Sequence, residues 1–206
     1  MCDLSCGIKT AVIKQPIKIL ICSCLLVCSG CMMTSAEEDA DTQGGKPVFM
    51  VVEVDVTDPA KAIPVTEDSF VCLKKMRPVR GFFVSNLLDN LDGTVTAAMS
   101  PNGATYPPGS VVQLIPAEVM VKHHKGWNTK TNDWEFFELS VSEKGSKIKV
   151  RGTTQVINKF GGNCFECHQK AEPQWDLICE QDHGCDSLPI PDFIIRWTQR
   201  GDPRCD

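Results

Sequence analysis

Short apolar runs separated by clusters of Pro, Gly, Asn and Asp fill the chain from residue 48 onward, a pattern of strands and turns. "VFMVVEVDV" (48–56) is rich in valine and alternates at its end, which predicts a strand. "DSFVCLKKM" (68–76) is mixed and predicts a helical turn capped by Asp68. "RGFFVSNLL" (80–88) and "GTVTAAM" (93–99) predict two strands joined through the turn "DNLDG". "SPNGATYPPG" is all turn chemistry, and "SVVQLIP" (110–116) predicts a further strand. "PAEVMVKHH" (116–124) predicts a helix opening on Pro116, and "GWNTKTND" a loop. "WEFFELSVS" (134–142) and "KIKVRG" (147–152), with Gly145 between them, predict a hairpin. "IPDFIIRWTQR" (190–200) predicts a closing helix with Asp192 near its start. No internal repeat occurs, and the tally is α+β: mainly antiparallel sheet with a few helices.

The first 30 residues follow a different logic. Lys9, Lys14 and Lys18 precede the apolar run "IKILICSCLLVCSG", and small residues Ser29 and Gly30 precede Cys31. This reads as a secretory leader (1–30), too short and too soon interrupted for a lasting membrane span. Two outcomes stay open. Cleavage near Gly30 or Ala36 would release a secreted or periplasmic protein. Alternatively, "VCSGC" resembles a lipoprotein signal, with Cys31 lipidated and the protein held to the outer membrane on its periplasmic side. Residues 31–47, ending in "TSAEEDADTQGGKP", read as a flexible acidic tether, and residues 48–206 as the folded domain.

The 206 residues suit one domain behind a leader, with length enough to bury a core. Removing residues 1–30 takes away three lysines and one aspartate, so the net charge goes from −5 to −7. No basic stripe is present, which argues against a nucleic-acid partner.

Twelve cysteines change the picture most. Six lie in the first 31 residues; the rest are Cys72, Cys164, Cys167, Cys179, Cys185 and Cys205. "CFECH" (164–168) is C-x-x-C-H, the attachment signature of c-type haem. Two thiols three residues apart on one helical turn reach the two vinyl groups of a haem, and the following histidine meets the iron. Cys164 and Cys167 are thus the expected tethers and His168 the axial ligand of one covalent haem. Its other ring nitrogen is expected to donate to a carbonyl or carboxylate. A thioredoxin-like pair would need a βαβ context that the pattern lacks. Zinc on Cys164, Cys167, Cys179 and Cys185 is arithmetically allowed, but export into an oxidising compartment favours thioethers or disulfides. The four remaining cysteines allow three pairings; Cys179 with Cys185 and Cys72 with Cys205 is the first choice.

The order "YPPGSVVQL", "NDWEFFEL", "CFECHQKAEPQWDLIC" resembles the cytochrome P-460 and cytochrome c′-beta group, over roughly residues 80 to 180. The resemblance implies a small, mostly antiparallel sheet with helices and one five-coordinate c-type haem against it, often in a homodimer. Members that oxidise hydroxylamine carry a lysine crosslinked to the haem. The matching place here is Leu114, and Lys122 does not match. The resemblance therefore points toward the c′-beta members, which implies binding of a gas, especially nitric oxide, or electron transfer with a redox partner protein. The alternative is a haem enzyme that oxidises a small nitrogen compound such as hydroxylamine, or acts as a peroxidase.

What fills the sixth iron position decides between these readings. Met99, Met120, His123, His124 and His183 are the available side chains. His123 and His124, flanked by Lys122 and Lys125, read as solvated; Met99 and Met120 read as core, and His183 as surface. Phe136 or Phe137 would cap an apolar distal face, but alternation lets only one of them do so. Glu135 or Glu138 would supply a proton-transfer carboxylate if either faced the haem; otherwise both face water.

Overall fold

The computed structural model describes residues 55–180 and 182–205. The leader, the tether and most of the strand expected at 48–56 lie outside them. Asp55 and Val56 are in loop, not strand.

Six antiparallel strands form one sheet in chain order. They are β1 (Arg77–Val79), β2 (Phe82–Asn86), β3 (Ser110–Ile115), β4 (Glu118–Lys122), β5 (Trp134–Ser142) and β6 (Gly145–Gly152). Consecutive strands pair as a meander, which short turns can close without a crossover. The connection from β2 to β3 carries helix α1 (Leu91–Met99). Helix α2 (Cys164–His168) is a little over one turn, and α3 (Asp192–Arg200) is amphipathic with no buried residue.

Side chains alternate across the sheet, and each face has its own core. One face gathers Val84, Val112, Met120, Trp134 and Phe136 beneath α1, α2 and residues 177–178. The other gathers Val111, Val119, Val121, Phe137 and Leu139 against Phe70, Leu73 and Met76. Two disulfides tie the loops, Cys72–Cys205 and Cys179–Cys185, which is the pairing that the sequence favours.

Two predicted elements are exchanged. Residues 93–99 form helix, not strand, because Asn90 caps Gly93 N–H at 3.2 Å and the buried positions Thr94, Ala97 and Ala98 follow helical spacing. Thr94 then bonds the Ser110 hydroxyl at 2.8 Å, which pins α1 to β3. Residues 118–122 form strand, not helix. Val119 and Val121 enter one core and Met120 the other, so an all-apolar run serves both faces. The turn at 67–69 begins after Thr66, whose N–H donates to Ser69 Oγ at 3.0 Å; Asp68 is inside it rather than capping it. Nothing in the sequence pattern announces β1. The hairpin β5–β6 and the helix α3 stand where the pattern puts them.

Candidate functional site

Asn163 starts α2. Its side chain accepts from Glu166 N–H at 3.0 Å and donates to Thr154 O at 2.8 Å, so one residue caps the helix and fixes it to the preceding loop. Within this helix Cys164 and Cys167 are a turn apart, and His168 follows at once. Phe165 points inward, edge-on to Phe136 at 6.5 Å between ring centres, and the His168 ring lies 5.4 Å from the same phenyl. Among the described residues Cys164 and Cys167 are the two cysteines outside disulfides.

His168 Nδ1 is 2.7 Å from Leu177 O. A carbonyl only accepts, so Nδ1 carries the proton and donates, and Nε2 keeps its lone pair. Burial lowers the His168 pKa, which keeps the ring neutral and able to ligate a metal. The donor set therefore suits a covalently held haem: two unpaired thiols on one turn and an imidazole with its second nitrogen engaged.

The Cys164 thiol is pushed up to about 12, by burial first and by the carboxylates of Glu118 and Glu138 after that. A low-pKa thiolate is what a redox or nucleophilic cysteine needs, so this environment disfavours those roles.

Glu118 and Glu138 face each other across β4 and β5. Oε1 of Glu118 and Oε2 of Glu138 have no hydrogen-bond partner among the described residues. The register irregularities of β3–β4 and β5–β6 fall at the same end of the sheet. Burial, then the Glu138 charge, raises Glu118 to about 7. Glu118 ordinarily titrates at 4.5, so its folded pKa is the higher one. The stability it contributes is complete below pH 4.5 and is lost as pH rises through about 7. Glu118→Gln is therefore expected to add up to about 3 kcal/mol at pH 8 and almost nothing at pH 4. Urea unfolding at the two pH values checks this; an equal effect at both would contradict it.

The other sequence-selected residues divide by face. Phe136, Glu138 and Leu114 lie on the face that carries the motif. Phe137 and Glu135 lie on the opposite face, which removes both from the expected distal lining. Neither glutamate faces water: Glu135 is 4% exposed and Glu138 8%. His123 is likewise 1% exposed, not solvated. Ile63 N–H donates to its Nδ1 at 2.8 Å, and its Nε2 lies 2.9 Å from Glu135 Oε2, which Arg151 also holds. His124 is exposed as expected. His183 is buried, not on the surface: Nδ1 bonds Ile178 O at 2.8 Å and the ring stacks on Trp175. Met120 is core, but Met99 is exposed.

Sequence reasoning misses Glu118 and the pairing of Lys122 with Asp176. Lys122 Nζ lies 2.7 and 2.8 Å from the two Asp176 carboxylate oxygens, with both residues buried. "VMVKHHK" reads as a basic, wet segment, and nothing in it announces a partner 54 residues away. Comparison of the chain with protein-family models, with curated proteins and with solved structures gives no match.

Proposed function

We propose that this chain is an exported c-type cytochrome carrying one covalent haem on Cys164 and Cys167, with His168 as axial ligand, and that it binds a small gas such as nitric oxide. One observation carries the reading. Four of the six described cysteines pair as disulfides, and the two left over are those of C-x-x-C-H, beside an imidazole whose Nδ1 proton is already engaged. The disulfides also support the oxidising compartment that the leader suggests. When bound, haem supplies a redox-active iron with a position for a diatomic ligand.

The choice of gas binding over electron transfer rests on the side chains available as a sixth ligand. His123 has both ring nitrogens engaged, and it lies on the face away from the motif. His183 is stacked under Trp175, and Met120 is packed in the core. His124 lies beyond β4, where its N–H bonds Lys61 O. His123 is thus on the far face, His183 is held in a stack, Met99 is exposed, and Met120 lies in the core of the motif's own face; the reading proposed is an open position.

A second reading, a haem enzyme acting on hydroxylamine or peroxide, draws support from Glu118. A carboxyl that titrates at about 7 suits proton transfer near neutral pH. The test is expression with a haem-maturation system. The expected product carries the mass of one porphyrin through thioethers and has a high-spin ferric spectrum that shifts with nitric oxide. A colourless protein with the mass of its amino acids alone would end both readings. A low-spin, six-coordinate spectrum would end the gas-binding one. Turnover of hydroxylamine or peroxide would move the conclusion to the enzyme.

A further inference from the structure

Asp176 and Leu177 are consecutive non-glycine residues in left-handed backbone, with φ of 51° and 64°. Non-glycine residues in this region are sterically strained and persist where their surroundings over-determine them. Four contacts do so here. Lys122 donates to both Asp176 carboxylate oxygens, Tyr106 N–H donates to Oδ2 at 2.8 Å, and Trp134 Nε1 donates to the Asp176 main-chain oxygen at 2.8 Å. The next carbonyl, that of Leu177, accepts from His168 Nδ1. The Cys179–Cys185 bridge, a few residues on, fixes the far end of the segment.

We infer that the buried Lys122–Asp176 pair is a positioning device for His168: it ties the strained turn to β4 and so aims the Leu177 carbonyl at the imidazole. Neither side chain hydrogen-bonds His168, whose Nδ1 goes to Leu177 O. Both act through the backbone they hold. A buried pair of this kind adds little net stability, because desolvation of two charges offsets their attraction, so its geometry is the informative property. The consequence for a metal on Nε2 follows from the Nδ1 bond. A proton shared with a carbonyl makes the ring a stronger donor, which favours the ferric state.

This inference rests on the haem reading only for its functional consequence, and the test separates the two. Lys122→Met with Asp176→Asn cuts the tie to β4 without stranding a charge, and Asn still tolerates the left-handed backbone. A milder variant, Trp134→Phe, removes one donor to Asp176 and keeps most of the volume. In haem-loaded protein, the double variant is expected to raise the midpoint potential, with the ferric-to-ferrous ratio falling about tenfold, or about 59 mV for one electron. Trp134→Phe is expected to move it about threefold in the same direction. In protein without haem, nitrogen chemical shifts of His168 report its tautomer. The Nδ1–H form is expected to dominate in the parent chain and to fall about fivefold against Nε2–H in the double variant. Absence of haem from the parent chain would end the haem reading, and the tautomer ratio would then decide the positioning role. A folded variant of either kind with the parent potential, or the parent tautomer ratio where no haem is bound, overturns the inference.

Discussion

Replacing Cys72 and Cys205 together by alanine is expected to lower the unfolding free energy by about 5 kcal/mol. The bridge spans 133 residues, so its removal gives the unfolded chain nearly the full freedom of the domain. Cys179–Cys185, which spans 6 residues, is expected to contribute only about 2 kcal/mol on the same entropy scale. Domains of this size keep roughly 5–15 kcal/mol in all, so loss of the long bridge alone approaches the limit of folding. The bridge does not act alone. Asp202 and Arg204, two residues apart and with buried side chains, form an ion pair at 2.7 Å. Asp202 also accepts from Leu73 N–H at 2.9 Å, and Arg204 reaches Ser146 Oγ at 3.1 Å on β6. These contacts hold the end of the chain against the 73–75 turn and the sheet. Denaturant midpoints of the two double-alanine variants measure the difference. Equal losses would mean that loop length is not what the long bridge contributes.

Setting aside the two cysteines of the motif left three pairings of the other four, and the short loop between Cys179 and Cys185 made the observed one the first choice. The hairpin β5–β6 was legible because its strands alternate cleanly and Gly145, at φ 109°, sits where the chain must turn. The exchange of α1 and β4 shows the limit. "GTVTAAM" holds β-branched residues that favour strand, and only the Asn90 cap and the spacing of Thr94, Ala97 and Ala98 reveal the helix. "EVMVK" is buried on both faces between two strands, so no alternation marks it as strand.

The site was legible where chemistry is local and hidden where it is not. C-x-x-C-H declares itself within five residues. Lys122, His123 and Glu135 look like surface residues because their partners, Asp176, Ile63 and Arg151, are brought to them only by the sheet and the loops across it. Adjacent residues also part company: Lys122 goes to the motif face and His123 to the other. A sequence gives that parity once the strand is known. It does not give it while 116–124 is read as helix.

Phe136 and Phe137 put this parity to its sharpest test. Each is 1% exposed, and truncating either to alanine is expected to cost about 4 kcal/mol, from lost burial and the cavity left behind. Their consequences for the site are expected to differ. Phe136 packs against both Phe165 and His168, so Phe136→Ala removes the wall behind the motif helix. Phe137 stacks edge-on to Phe70 at 5.1 Å and lies beneath the Arg151 guanidinium at 5.0 Å, on the far side of the sheet. Matched losses of stability in urea, with the His168 tautomer, or the spectrum of the proposed haem where it is bound, disturbed only in Phe136→Ala, are the expected result. A disturbance of equal size in Phe137→Ala would mean that the two faces are coupled through the sheet. His168 would then owe its setting to overall packing rather than to the side chains on its own face.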